Sequence, residues 1–521
     1  MKNYKSFFQA AIKFVFVIMM LMVIFMVACF SYLSPYVTVQ NFLIPAGICL
    51  LIAIVFVILF CFIYKRSNIH DVKILKSSKT IIIASLVLLM LQLFVCYSVF
   101  FLTSWDSEVL TINAFNIVHN EVGNLNNDYF SRFPNNLFLE YLFILAYKFA
   151  DFIGMSTLKT GTELIVIGQC VLNSMTGFLT FKIAEKISNS YKAAWCTWAF
   201  YFILVGSAFW TIVPYSDSIA LIIPVLILWI WTTLKAEKYT YLKWFFIIVI
   251  TFIGYKIKPQ TVIVFIAIVI IQAIYAGYNR KIFLRLIKAV VPAMVVVMLL
   301  NVGIGKAVST LPFNIDKEAE FGMTHFLMMG LNEESGGIYD KDDIDFSNTI
   351  ETKEERKKAN IDESIRRLKS FTPRRLAKHI ARKTVSNYGN GMFGWGQEAG
   401  SYFYKEVYRD RVPGISGFLK KCIYNTGDYY RIFAIIKQFT WIMCLLLCAL
   451  SCMRREKNIN EAVLVIALSI IGLTMFETLF EPRARYFYIY VPFYVILAPI
   501  GLRNVLEKFK SKKDKKERAD L

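Results

Sequence analysis

Charge is scarce in this chain of 521 residues: Asp, Glu, Lys and Arg together make up 18%. Soluble proteins carry roughly 25%, so an ordinary cytosolic enzyme is excluded, and so is a disordered polar segment. Histidine is scarcer still, with four copies, and no His/Cys spacing matches a zinc site. There is no Gly-rich phosphate loop, dinucleotide fingerprint or nucleophile elbow, so cytosolic ATP-driven or hydrolase chemistry has no motif behind it. No internal repeat is visible. The 10 cysteines do not form a disulfide framework. Cys29, Cys49, Cys61, Cys96, Cys170, Cys196, Cys444, Cys448 and Cys452 lie in apolar runs as small hydrophobes, and Cys422, in a polar stretch, has no exposed partner.

What the chain does contain is apolar: 57% of residues are hydrophobic and 16% aromatic. Runs of about 20 apolar residues, each able to cross a hydrocarbon core about 30 Å thick, predict twelve spans. They cover 11–30, 42–64, 80–103, 161–182, 193–213, 216–234, 241–257, 260–277, 287–305, 431–452, 460–480 and 485–504. The first run follows Lys2 and Lys5, is too long for a signal-peptide core and lacks a small-residue cleavage site, so it reads as an uncleaved span. Met26-Val-Ala-Cys29 has only a chance likeness to a lipoprotein processing site. The net charge of +21 would point to nucleic acid in a soluble chain. Here Lys and Arg that pin cytoplasmic loops account for it, and no nucleic-acid partner is expected.

A further apolar stretch, 135–153, places Asn136, Glu140, Tyr147, Lys148 and Asp151 within a wedge of about 120° on a helical wheel. That pattern predicts a helix lying flat in the interface with one wet face. Loop charges agree. With 135–153 flat, the basic loops 65–79, 182–192, 235–243, 280–288 and 454–457 and the tail 503–518 all fall on one side, while the short turns 31–41 and 214–218 opposite hold no Lys or Arg. The chain therefore reads as an all-α polytopic membrane protein with cytoplasmic N- and C-termini. Two substantial segments lie outside, 104–161 and 306–430, the second long enough for a small mixed extracytoplasmic domain. Within it, 352–383 predicts a charged surface helix up to Pro373, with Ile361, Ile365 and Leu368 at helical spacing. Asn387-Tyr-Gly-Asn-Gly391 and Gly394-Trp-Gly396 read as turns.

Candidate chemistry gathers at outer span ends. Ser104-Trp-Asp-Ser-Glu108 follows the third span directly. Asp106 and Glu108 fit a general base with its electrostatic partner or ligands of a divalent cation (Mg or Mn); Asp106 also fits a plain helix cap. His119, Asp128 and the turn Tyr129-Phe-Ser-Arg-Phe-Pro-Asn-Asn136 follow. Asp217 ends another outer turn, and Gly254-Tyr-Lys-Ile-Lys-Pro259 puts Lys256 and Lys258 on the side where orientation signals are not expected. Glu477 and Glu481 precede Pro482-Arg-Ala-Arg485. Four cations at one membrane level could bind a phosphate, through Lys256, Lys258, Arg483 and Arg485; snorkelling or pairing with Glu477 and Glu481 is the structural alternative. The Met- and Phe-rich stretch around His325 fits a lipid-docking or acceptor-lining loop, or a core contact.

Taken in order, these residues resemble the GT-C superfamily of lipid-linked-sugar glycosyltransferases, which includes protein O-mannosyltransferases and bacterial transferases that use undecaprenyl-phosphate sugars. Ser104-Trp-Asp-Ser-Glu108 looks like the acidic motif of the first outer loop, and Tyr129 to Leu137 like the turn opening a second flat helix. Asp217, Ile257-Lys-Pro259 and Arg483-Ala-Arg-Tyr486 with Pro492 are similar to later features of bacterial members. The resemblance covers about 80–305 and 431–504. It departs at the acidic pair, which is Asp-x-Glu rather than adjacent, and at Arg132 with Asn135 in place of Lys-Pro-Pro.

The resemblance implies a GT-C-like bundle: 1–79 with two additional N-terminal spans and a basic loop, a core at 80–305 with its catalytic outer loop 104–160, the outer domain 306–430, the last three spans 431–504 and the tail 505–521. It also implies a hexosyl- or pentosyltransferase in a bacterial plasma membrane, working at the extracytoplasmic face. The donor would be a polyprenyl-phosphate-linked sugar and the acceptor a cell-wall or surface glycan or lipid-linked sugar. Asp106 would act as base, and Arg132, Lys258, Arg483 and Arg485 would hold the leaving phosphate, with inversion at the sugar. His119, Asp128, Asp217, His325 and Glu481 are further candidates for substrate or metal contacts. Rival readings are a transporter or lipid flippase, a polysaccharide polymerase or ligase resting on Arg374, Arg375 or His379, and a structural subunit.

Overall fold

The computed structural model describes residues 2–30, 46–66, 73–276, 280–396, 406–453 and 460–519. The predicted outer turn 31–41, the basic residues at 454–457 and His70 lie outside them. Among the described residues, nine helices are long and apolar enough to cross a membrane: Tyr4–Phe30, Ser78–Ser98, Leu158–Ser188, Ser216–Thr233, Glu237–Ile257, Ile287–Ser309, Tyr430–Ser451, Glu461–Leu479 and Ala484–Glu507.

The three other predicted spans are helical but depart from regular spans in different ways. Ala46–Arg66 is an apolar helix whose start adjoins the undescribed 31–45. Pro259–Tyr275 is shorter. The predicted 193–213 is broken: Tyr191–Tyr201 passes into a π-helical turn, Phe202–Gly206, and then a 3-10 turn, Phe209–Ile212. Irregular backbone at membrane depth survives only where protein satisfies it. Here Lys437 does so from the neighbouring span, its Nζ donating to the Ile203 carbonyl at 2.8 Å.

Close packing at the centre depends on small residues. A Cβ on Gly501 would sit 1.8 Å from the Leu447 carbonyl, so the last span and Tyr430–Ser451 touch backbone to backbone at that point. Beyond helix Ser78–Ser98, Phe101–Leu102, the end of the third predicted span, pairs antiparallel with Glu406–Val407 and so ties it to the segment 306–430. That second segment is helical: Gly322–Gly330, Lys341–Asn348, Lys353–Ser370, Pro373–Tyr388 and Ile415–Ile423.

One sequence expectation is corrected here, while the predicted charged helix and turns of the second segment are present. Leu137–Phe152 buries Glu140 and Tyr147 against protein and exposes Leu145, Phe149 and Phe152, so its polar wedge is not a wet face. Only Lys148 and Asp151 of that wedge are exposed. The predicted charged helix is Lys353–Ser370; it buries Arg356, Asn360 and Ser364, with the Arg356 guanidinium donating to five carbonyls, and leaves Ile361, Ile365 and Leu368 outward. The turns at 391–396 are present, but they insert into the bundle: Phe393 and Trp395 are buried, and Trp210 Nε1 donates to the Phe393 carbonyl at 3.0 Å.

Candidate functional site

Helix Trp105–Val118 opens beside one end of the bundle with Asp106 in its first turn, where the exposed N–H dipoles favour a carboxylate. Trp105, the residue before Asp106, has φ of +62°, a conformation that a bulky side chain adopts only under constraint. Its ring meets Tyr215 edge-on at 4.9 Å. The Tyr215 hydroxyl donates to Asp106 Oδ2 at 2.8 Å, and the Tyr129 hydroxyl bonds the same carboxylate. Burial, and then the Asp106 charge, hold the Tyr215 and Tyr129 phenols well above the usual range, so both stay protonated.

The opposite wall is cationic. Arg485, at the start of the last span, lies with its guanidinium carbon 4.6 Å from the Trp105 ring centre, 5.4 Å from Tyr215 and 5.3 Å from Tyr486. Arg485 Nη1 is 3.6 Å from Asp217 Oδ2, and Lys258 Nζ is 2.5 Å from Asp217 Oδ1. All three side chains are buried, so two cations share one carboxylate in a dry pocket. Arg483 Nε donates to Glu481 Oε1 at 2.8 Å, and the Tyr486 hydroxyl donates to Glu481 Oε2 at 3.1 Å. Burial opposes the Glu481 charge, but Arg483 beside it holds the carboxyl below its usual range.

Between these walls lies a cleft of about 630 Å³, closed by His325, Phe326, Met329, Tyr339 and Ile344 of the segment 306–430. His325 is fully buried: Nδ1 meets Ser347 Oγ at 2.8 Å, and burial pushes the imidazole down to about 4, so it is neutral. This wall is clamped in place. Lys383 Nζ donates to the Gly330 and Phe480 carbonyls, both at 2.7 Å, and burial lowers its ammonium to about 7. Gly330 has no room for a side chain, since its Cβ would lie 2.4 Å from the Leu479 carbonyl. A separate apolar groove of about 560 Å³ runs between Glu237–Ile257, Pro259–Tyr275 and Ile287–Ser309, with Tyr255 and Val262 at the end next to Lys258.

The cleft gathers Asp106, His325, Glu481, Arg483 and Arg485, with Asp217 and Lys258 directly behind Arg485. Five predicted residues stand elsewhere. Glu108 lies two positions after Asp106, and side chains so spaced on a helix do not face each other, so the two cannot close on one metal ion. His119 caps the far end of the same helix, about 20 Å along it, and bonds Phe115 and Ser156. Asp128 points to solvent and pairs with Arg132 at 3.9 Å, one turn away. Lys256 lies over the Phe252 ring at 5.5 Å. Among the described residues, no group of three or more His, Cys, Asp or Glu could hold a metal ion.

The alternative residues of the second outer segment are engaged in packing. Arg375 pairs with Glu333 and His379 binds the Gly330 carbonyl, while Arg374 is exposed. Residues missed from the sequence are Trp105 and Tyr215 as a frame for Asp106, Tyr486 for Glu481, and the buried Lys383, Lys437 and Glu140. Trp105 and Tyr215 carried the only available signal, each lying within two residues of an acid at an outer span end.

A family model described as "conserved hypothetical integral membrane protein" matches residues 4–505. No curated protein and no solved structure matches.

Proposed function

The chain belongs to this family of integral membrane proteins, and on that premise we propose that it is a glycosyltransferase using a polyprenyl-phosphate sugar. The observation that carries the reading is one cleft holding a half-buried carboxylate, Asp106, opposite Arg483 and Arg485. A phosphate leaving group needs stabilised charge rather than a strong acid, and preorganised guanidinium groups in a partly dry cleft supply it. Asp106, oriented by the Tyr215 and Tyr129 hydroxyls and lining the cleft, takes a proton from an acceptor hydroxyl as that hydroxyl attacks the anomeric carbon. With one base and no enzyme nucleophile, the transfer is a single displacement with inversion. The apolar groove beside Lys258 accommodates the polyprenyl tail.

In this reading the chain crosses a bacterial plasma membrane twelve times with both termini cytoplasmic. The cleft faces outward, and residues 306–430 present a glycan or lipid-linked acceptor. Trp105 and Arg485, which must share one compartment for the chemistry to work, are in ring contact. The test is purified protein in vesicles with a panel of polyprenyl-phosphate hexoses and pentoses, read as released lipid phosphate. Release that depends on Asp106 supports the reading, and no release from any donor overturns it. A second reading, transport of a lipid-linked sugar, draws on the broken 191–212 stretch and the buried Lys437 at its side. Movement of labelled donor across the vesicle bilayer without release of lipid phosphate would favour it.

A further inference from the structure

Tyr215 ends a run of irregular backbone, Phe209–Ile212 followed by 213–215, set between two apolar helices inside the bundle. Lipid offers such backbone no partners, so protein must. Gln169, on the Leu158–Ser188 span and 1% exposed, supplies three at once. Its Oε1 accepts from the Tyr215 N–H at 3.0 Å, and its Nε2 donates to the Thr211 and Val213 carbonyls at 3.0 and 2.9 Å. Two carbonyls and one N–H leave the amide a single orientation, because only nitrogen can donate and only oxygen can accept. One turn further, Asn173 Nδ2 reaches Thr211 Oγ1 and the Tyr488 hydroxyl, both at 3.2 Å. On the other side, Ser107 Oγ donates to the Pro214 carbonyl at 3.0 Å, joining the same run to the helix that bears Asp106.

We infer that Gln169 is a positioning residue for the reaction: it fixes Tyr215, and through the Tyr215 hydroxyl it fixes the Asp106 carboxylate. The inference rests on the reading of Asp106 as the base. Gln169 stands one shell behind Tyr215 and makes no contact with the cleft, so its effect is transmitted by geometry. Replacing it with an apolar side chain of similar length orphans three buried backbone groups at one place. The 211–215 run then relaxes, and the hydroxyl that orients Asp106 is no longer held. Displacements of this kind away from the reacting atoms lower turnover more than binding.

The experiment is a double-mutant cycle of Gln169→Met and Tyr215→Phe in the vesicle assay, with the polyprenyl-phosphate sugar that the wild type turns over. Each single variant is expected to lower kcat about tenfold and leave the donor KM within about twofold, and the double variant to be no worse than the weaker single. Wild-type kcat in Gln169→Met, or losses that multiply in the double variant, would overturn the inference. If Gln169→Met does not purify as a folded protein, Gln169→Asn, whose amide is one methylene too short to reach all three groups, takes its place in the cycle. Asp106→Asn run alongside separates the two levels. Full turnover there removes the base reading itself, whereas lost turnover there with normal Gln169 variants removes only the positioning role.

Discussion

Asp217 offers the sharpest test of the site's electrostatics, because it requires no substrate. Its carboxylate, 2% exposed, lies between Lys258, 5% exposed, and Arg485, 7% exposed, at 2.5 and 3.6 Å. Asp217→Asn keeps the shape and one acceptor oxygen but removes the negative charge that Lys258 and Arg485 share. Breaking a buried ion pair by deleting one partner costs about 3–5 kcal/mol, since the remaining charge is left dry and unpaired. The rings of Trp105, Tyr215 and Tyr486 around Arg485 offset about 0.5–2 kcal/mol of that, so a net loss of about 2–4 kcal/mol is expected. The assay is heat-induced unfolding of detergent-purified protein at one fixed heating rate, because midpoints of irreversible transitions depend on it. The Asp217→Asn midpoint should fall by several degrees. Asp217→Asn combined with Lys258→Met, which removes a stranded cation, should recover most of the loss. A wild-type midpoint in Asp217→Asn, or a double variant whose loss equals the sum of the singles, would refute the shared-carboxylate account.

The remaining predictions follow from named contacts. Asp106→Asn preserves the acceptor for Tyr215, so it should fold normally and lose about 10²–10⁴-fold in kcat; turnover within twofold of wild type removes Asp106 as base. Lys383 has its folded-state pKa lowered to about 7 from 10.5 by burial, so between those values the unfolded chain binds the extra proton and stability rises with pH. Lys383→Met should flatten that rise in unfolding midpoints measured from pH 7 to 10, and an unchanged slope counts against it. His325 and His379 are both held near 4. Stability should therefore fall as pH drops from about 6.5 toward 4, and the fall should shrink in His325→Gln; equal acid profiles would contradict this. Gly501→Ala should lower the unfolding midpoint and the yield of folded protein, because its Cβ meets the Leu447 carbonyl at 1.8 Å; wild-type values would show that the two spans can part at no cost.

The membrane class and most span positions were legible in the sequence because a run of about 20 apolar residues has few other uses. Where legibility failed, a tertiary partner had replaced lipid or water. The break after Tyr201 is invisible to hydropathy, since Phe202 to Ile212 is as apolar as a regular span, and side chains distant in sequence, Gln92, Gln169 and Lys437 among them, make the irregular backbone tenable. The wedge on Leu137–Phe152 was read as wet because polarity alone cannot distinguish solvent from a buried contact. In the cleft, Asp106, Asp217, Lys258, Arg483 and Arg485 were recoverable because ions at span ends without a basic loop are rare in so apolar a chain. Their aromatic frame was not, since 28 tyrosines and 9 tryptophans make any single ring unremarkable before its neighbours are known. His119 and Asp128 are near Asp106 in sequence and on the wrong part of the helical path to reach it.

The walls of the cleft come from widely separated stretches, near residues 105, 215, 325–344 and 481–486. A ribosome must therefore synthesise the other three stretches before Arg485 exists to complete them. Asp217 and Lys258, which pair with each other, both precede it in the chain. Chains truncated ahead of the last span should be recognised as unfinished by membrane proteases. For the same reason, expressing the two halves as separate polypeptides is expected to yield a working site only when both are present in one bilayer.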